Sequence, residues 1–228
     1  ISFKGPFAKL VNKSNNSIIS LLTLLRRSGL ISNFYSVTIV KNIPVFAGLG
    51  GGTANVATIL KYLFKRKIRR SLLNQVEDRV GSDLKLFFYN QGFMKNLGLI
   101  TNIKKKHKLF FLLIQPSVKC STKEIYARVK NNTKKKRLEE NRIKTQSKFI
   151  SYLSKNSNDL QSIVEKKYPI IKELLINIEN EKGCYFSRMT GSGSVCYGLF
   201  NNQINALQAV TNIKTHYRKV KSSLAQTD

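Results

Sequence analysis

Apolar residues at positions 18, 19, 21, 22, 24 and 25 give the stretch from Ser14 to Arg26 a helical period. That density predicts a well-buried helix, with Ser17 as a candidate cap. From Ser36 to Ile43 the spacing changes: Val37, Ile39 and then Ile43 alternate with polar partners, which predicts a strand ended by Pro44. Beyond a run of glycines, Val56, Ala57, Leu60, Leu63 and Phe64 return to helical spacing, so a helix is expected to start at or near Thr53. Leu72, Leu73, Val76 and Val80 predict another from about Ser71, stopped by Gly81. Leu86 to Tyr89 reads as an aromatic strand.

The second half repeats this mixture. Lys108 to Ile114 (KLFFLLI) is a short apolar run of strand length, closed by Pro116. Helices are expected over residues 122–130, 138–154 and 159–181, the last interrupted at Pro169. Cys184 to Met189 and Val195 to Phe200 read as strands flanking Thr190-Gly-Ser-Gly-Ser194, and Gln203 to Ile213 as an amphipathic helix. The lysine run before residue 106 marks a boundary, giving domains 1–106 and 107–228. The class is α+β, in two halves that each carry one Gly/Ser loop. No internal repeat of solenoid length is visible.

Composition narrows the function classes. The chain has 228 residues, 42% of them hydrophobic, enough to build a packed core. No apolar run approaches the roughly 18 residues of a membrane span. In Ser17 to Leu25 the arginines follow the apolar run, the reverse of a signal peptide. Three cysteines (Cys120, Cys184, Cys196) with no C-x-x-C spacing, and only two histidines, make neither a zinc pattern nor a disulfide framework. They fit small core residues in a reducing cytoplasm, the expected location. The net charge of +28 would draw phosphate backbones toward the runs at residues 65–70, 104–108 and 134–137. Yet these runs are scattered, lysine dominates arginine, and no RNA-recognition, KH or zinc-finger pattern accompanies them. The charge therefore reads as solvated surface, and nucleic acid is not the expected partner. The chain opens on Ile1 rather than Met, which suggests a fragment, a processed chain or an unusual start.

Gly48, Gly50, Gly51 and Gly52 put four glycines into five residues, each costing about 0.5–1 kcal/mol relative to alanine in a regular element. A bare loop entering a helix exposes backbone N–H groups at the positive end of the helix dipole, where phosphate binds well. Thr53 adds a hydroxyl suited to a phosphate oxygen or Mg²⁺. The alternative is a tight strand-to-helix connection whose glycines merely relieve crowding, although one or two would suffice for that. A Walker loop is excluded because no lysine follows. The dinucleotide fingerprint fails because Thr53 stands where its third glycine belongs and the first acid after the loop is Glu77. The protein-kinase loop and its partner motifs are absent.

Lys41-Asn-Ile-Pro44-Val-Phe-Ala-Gly48-Leu-Gly-Gly-Gly52-Thr53 resembles the phosphate motif of the galactokinase, homoserine kinase, mevalonate kinase and phosphomevalonate kinase family, the GHMP kinases. Asn15-Asn16-Ser17-Ile18, Gly81-Ser82-Asp83, Pro116 through Ser121-Thr122 to Tyr126, Asn158-Asp159-Leu160, Tyr168-Pro169 and Arg188-Met189-Thr190-Gly191-Ser192-Gly193-Ser194 are similar to further family segments, in the same order. The extra glycine and Asn55 resemble the branch that phosphorylates the 2-hydroxyl of a cytidylyl-diphospho-methylerythritol on the methylerythritol phosphate route to isoprenoids. The resemblance covers nearly the whole chain. It implies a ribosomal-protein-S5-like N-terminal domain, here truncated, and a ferredoxin-like C-terminal domain.

The resemblance also implies roles. ATP phosphates and Mg²⁺ would be held by Pro44, Ala47, Gly48, Leu49, Gly50, Gly51, Gly52 and Thr53. Lys41 and Asn16 match positions near the nucleotide base, and Asp83 matches the catalytic aspartate. Thr190, Gly191, Ser192 and Gly193 would border the substrate through backbone N–H groups. The expected assembly is a monomer or weak homodimer. Three departures stand against these roles. The family's first motif, a Lys-x-Asn pair followed by Asp-Gly-Tyr-His, is missing, and the chain begins about 50 residues too late to contain it. Leu84-Lys85 replaces the family's x-Pro after the aspartate, and along a strand-like segment Lys85 would return to the face of Asp83. Ala54 stands where many relatives carry serine. Two other readings therefore stay open: a truncated, catalytically inactive relative, and a basic nucleic-acid-binding protein built on the same framework.

Overall fold

The computed structural model describes residues 1–65, 67–96, 99–103, 106–129, 143–217 and 219–227. Arg66, Lys104, Lys105, Lys134 to Arg137 and residues 138–142 of the expected helix lie outside that set. By internal contacts the chain divides into two units, Ile1–Val45 with Gly50–Lys104, and Phe46–Leu49 with Lys105–Asp228.

In the first unit, β1 (Ser2–Lys4) pairs in parallel with β2 (Thr38–Val40), Ser2 facing Thr38. Helices α1 (Ser17–Arg27), α2 (Gly51–Phe64) and α3 (Arg70–Val80) follow. A 3₁₀ helix covers Leu84–Phe88, and β3 (Gly92–Asn96) pairs antiparallel with β4 (Leu99–Asn102). Leu21 and Leu25 of α1, Val56 and Leu60 of α2, Val76 of α3 and Leu84 are buried in one apolar cluster. The periodicities of the three helices point their apolar residues at that cluster, and burial of each side chain contributes roughly 1.5–3 kcal/mol.

Three details differ from the expectations. The cap of α1 is Asn16, whose Oδ1 accepts from the N–H groups of Ile18 and Ile19 at 3.1 and 3.2 Å. Ser17 is already helical, and its hydroxyl donates to the Gly52 carbonyl at 3.3 Å. Helix α2 starts at Gly51, two residues before the expected start, because Gly50 takes the left-handed conformation (φ 63°) and Gly51 and Gly52 close the first turn. The aromatic run Leu86 to Tyr89 forms no strand. Gly81 and Asp83 carbonyls accept from Leu84 and Leu86 N–H groups, and the three-residue period puts Leu84 and Phe87 into the core cluster.

The second unit is built on an antiparallel sheet of β5 (Phe110–Gln115), β6 (Cys184–Met189), β7 (Cys196–Phe200) and β8 (Lys221–Gln226), in the order β6-β7-β5-β8. Helices α4 (Thr122–Ala127), α5 (Gln146–Ser154), α6 (Gln161–Lys167) and α7 (Pro169–Glu179) lie in the chain between β5 and β6. Helix α8 (Gln203–His216) lies between β7 and β8. This strand order with helical crossovers is the ferredoxin-like arrangement. Ile171, Leu174 and Ile178 of α7 recur at helical spacing and are fully buried with Leu112, Ile114 and Phe200. Pro169 occupies the first position of α7, where its missing N–H has no role, which explains the expected interruption.

Candidate active-site residues

In the first unit, the start of α2 has the properties of an anion site. Its first turn, Gly51-Gly52-Thr53, has no side-chain cap, and its N–H groups carry the positive end of the helix dipole. The Lys41 side chain reaches this turn: a Cβ placed on Gly51 would lie 3.4 Å from Lys41 Nζ. Lys41 is only 8% exposed, and burial lowers its pKa from the usual lysine range. A buried ammonium beside the positive end of a helix is electrostatically unfavourable until an anion joins them. Strand β2 ends at Val40, short of the expected Ile43, so Pro44 lies beyond the ladder and is not what ends the strand.

The glycines divide by cause. Gly50 has a left-handed φ of 63°, and a Cβ on it would strike Phe87 at 2.8 Å, so the fold itself excludes a side chain. Gly51 and Gly52 have no such conflict: the nearest protein atoms to their added Cβ atoms are at 3.4 Å, ordinary contact distance. Their bareness leaves room for something outside the protein.

Asn16 Nδ2 donates to the Asn12 carbonyl at 3.0 Å while Oδ1 caps α1, so its polar groups are engaged locally. Asp83 follows Gly81, whose φ of 126° ends α3, and its carboxylate is exposed with no hydrogen bond among the described residues. Lys85 does not join Asp83. It pairs instead with Glu77 of α3, both side chains largely buried, because the 3₁₀ turn rotates it away from the direction a strand would give.

In the second unit, Phe46–Leu49 packs on the loop between β6 and β7. Thr190 Oγ1 donates to the Ala47 carbonyl at 2.8 Å, and the N–H groups of Ser194 and Val195 donate to Phe46 and Ala47 carbonyls at 3.3 and 3.4 Å. A Cβ on Gly48 would lie 2.4 Å from the Thr190 carbonyl and 3.1 Å from that of Gly193. Leu49 completes this segment. Gly48 is thus bare because two backbones meet there, the crowding alternative raised by the sequence. Within the loop, Thr190 N–H donates to Val195 and Gly193 N–H to Thr190. Of the four residues expected to border the substrate, Gly191 and Ser192 have N–H groups that make no hydrogen bond among the described residues. Ser192 Oγ lies 2.9 Å from Thr122 Oγ1.

Beside this loop lies a cleft of about 770 Å³ lined by Tyr126, Asn158, Arg188, Thr190, Gly191 and Tyr197, among others. Arg188 donates to the Leu153 carbonyl at 3.1 Å and lies 4.6 Å over the Phe186 ring. A guanidinium, two tyrosines and two open amides suit a ligand with aromatic and anionic parts. Sequence reading noticed the Asn158-Asp159-Leu160 and Arg188 motifs but gave them no role. Their positions in the cleft depend on long-range packing that spacing does not carry.

A class is now defined by this fold and these loops. Residues 16–82 match the GHMP kinases N terminal domain and residues 135–219 the GHMP kinases C terminal model. The chain belongs to the GHMP kinase family. Within it, the chain is 30% identical over 227 residues to the 4-diphosphocytidyl-2-C-methyl-D-erythritol kinase of Wolbachia sp. subsp. Brugia malayi (strain TRS), covering 94% of this chain and 75% of that protein. The enzyme of the same name from Pelagibacter ubique (strain HTCC1062) is 30% identical over 222 residues, 95% of this chain and 78% of that one. Among solved structures, that of a 4-(cytidine 5'-diphospho)-2C-methyl-D-erythritol kinase has a TM-score of 0.67 at 17% identity, covering all of this chain and 84% of its own. Homoserine kinase from Cytophaga hutchinsonii has a TM-score of 0.67 at 14% identity, covering 100% and 81%. These likenesses establish the fold: α+β, with GHMP kinase N- and C-terminal domains.

Proposed function

We propose that this GHMP kinase transfers the γ-phosphoryl group of ATP to the 2-hydroxyl of 4-diphosphocytidyl-2-C-methyl-D-erythritol, a step of the methylerythritol phosphate route to isoprenoids. The observation that carries the reading is the uncapped first turn of α2, bare at Gly51 and Gly52 with the buried Lys41 ammonium beside it. The names of the relatives supply the acceptor.

Phosphoryl transfer needs little covalent chemistry from the protein and depends on positioning and charge neutralisation. The amides of Gly51, Gly52 and Thr53 hold triphosphate oxygens, Gly48 to Gly50 shape the turn that presents them, and Lys41 adds a positive charge. Lys41 therefore serves the phosphates more directly than the base; Asn16 contributes on the nucleotide side by fixing the start of α1. Asp83 takes the proton of the acceptor hydroxyl as its oxygen bonds to the γ-phosphorus. The bond between that phosphorus and the β,γ-bridging oxygen breaks, and ADP leaves. Thr190 to Gly193 border the substrate, with the amides of Gly191 and Ser192 as donors. Mg²⁺ would be carried on the triphosphate, with Thr53 as a candidate hydroxyl ligand. Bound there, it would supply positive charge against that of the phosphates.

No helix among the described residues is long and apolar enough to cross a membrane. We assign the domains to 1–106 and 107–228, the chain to the cytoplasm, and its assembly to a monomer or weak homodimer. A coupled assay of ADP release tests the acceptor. Turnover is expected with the diphosphocytidyl substrate and not with homoserine, mevalonate or galactose; preference for one of those three would overturn the assignment.

A further inference from the structure

Strand β6 is an edge of the sheet of the second unit, and its last residue, Met189, leads into the Thr190–Ser194 turn. Both backbone groups of Met189 are taken by side chains rather than by a strand. Gln161 Oε1 accepts from the Met189 N–H at 3.0 Å, and Asn158 Nδ2 donates to the Met189 carbonyl at 2.9 Å. The second hydrogen of Asn158 Nδ2 goes to the Gly191 carbonyl at 2.8 Å. Both amides are themselves oriented: Asn158 Oδ1 accepts from the Leu160 N–H at 3.0 Å, and Gln161 Nε2 donates to Glu165 Oε1 at 2.8 Å.

A peptide unit is planar and trans, so its C=O and the next N–H point in opposite directions. Holding the Gly191 carbonyl on Asn158 therefore fixes the direction of the Ser192 N–H, one of the two turn amides with no acceptor among the described residues. Holding the Met189 carbonyl likewise aims the Thr190 N–H, which donates to Val195 at 2.8 Å. We infer that Asn158 and Gln161 are positioning residues, a side-chain clamp that stands in for a missing strand and aims the Ser192 amide at an anionic group of the acceptor substrate. The use in substrate binding rests on the function proposed above; the clamp itself does not.

The test uses the full chain and the variants Asn158→Ala, Asn158→Asp and Gln161→Leu, with three readouts: amide exchange over residues 189–195, the thermal midpoint, and KM and kcat for each substrate. In Asn158→Ala the hydrogen-bonded amides of the turn, those of Thr190 and Gly193, are expected to exchange at least about tenfold faster. The KM for the diphosphocytidyl substrate should rise about tenfold while that for ATP stays within about twofold, the pattern of lost binding rather than lost folding. Asn158→Asp, which sets a carboxylate against two carbonyls, should be worse than alanine, and Gln161→Leu milder. Unchanged exchange at Thr190 and Gly193 in Asn158→Ala would overturn the clamp. Equal rises in both KM values, with a falling midpoint, would reduce it to a merely structural role. A wild-type chain that turns over no substrate would sink the proposed function and leave exchange to decide the clamp alone.

Discussion

Lys41 joins stability to binding with opposite signs. Its pKa is lowered in the folded chain by burial, so between the folded and unfolded values the unfolded chain holds more protons. Stability therefore rises with pH across that window, while the charge available to a triphosphate falls. The KM for ATP should climb as pH rises through the folded pKa of Lys41, and Lys41→Met should flatten that profile. At neutral pH the same variant should bind ATP about tenfold more weakly, the loss typical of a charged hydrogen bond, with a thermal midpoint equal to or above that of wild type. Gly51 and Gly48 make a second contrast. Gly51→Ala has room and a better helix former, so the midpoint should hold or rise, whereas ATP binding should weaken because the added methyl stands where phosphate approaches. Gly48→Ala meets the Thr190 carbonyl at 2.4 Å with a φ of 68°, and should lower the melting point by several degrees, the effect of about 1–3 kcal/mol of strain. A midpoint that falls equally in both variants would count against the division of the glycines by cause.

Elements were legible wherever period and punctuation agreed. Cys184 to Met189 is a strand with the expected ends, and α7 begins at the proline that was expected to interrupt the helix. Legibility failed where a turn overrode propensity. Leu86 to Tyr89 is aromatic enough for a strand, yet the Gly81 and Asp83 carbonyls wind it into a 3₁₀ turn. Strand β8, Lys221–Gln226, was missed because an exposed edge strand carries little apolar alternation. The 3₁₀ turn also produces the Lys85–Glu77 pair, with side chains 13% and 12% exposed. Glu77 Oε1 already lacks a partner among the described residues. Lys85→Met should therefore destabilise by about 3–5 kcal/mol, the usual effect of stranding a buried carboxylate, whereas Glu77→Leu combined with Lys85→Met should be close to wild type. Denaturant midpoints of the single and double variants decide it.

At the scale of the whole molecule the sequence revealed the family, because two glycine loops with Gly81-Ser82-Asp83 between them fall in an order that chance seldom supplies. It did not reveal which amides remain open, since Thr190 and Gly193 are engaged by partners that only the folded hairpin brings close. The thiols answer to burial in the same way: Cys184 and Cys196 are pushed up to about 12, and Cys120 is raised. The native chain should resist iodoacetamide at pH 8, and all three cysteines should react after unfolding. The central claim is phosphoryl transfer with Asp83 as its proton acceptor, and it is met most directly by incubating the chain with Mg²⁺, γ-labelled ATP and 4-diphosphocytidyl-2-C-methyl-D-erythritol beside an Asp83→Asn variant of unchanged ATP affinity. The account predicts label on the alcohol with wild type and a loss of at least about a hundredfold in the variant; equal transfer by both, or none by either while ATP still binds, would contradict it.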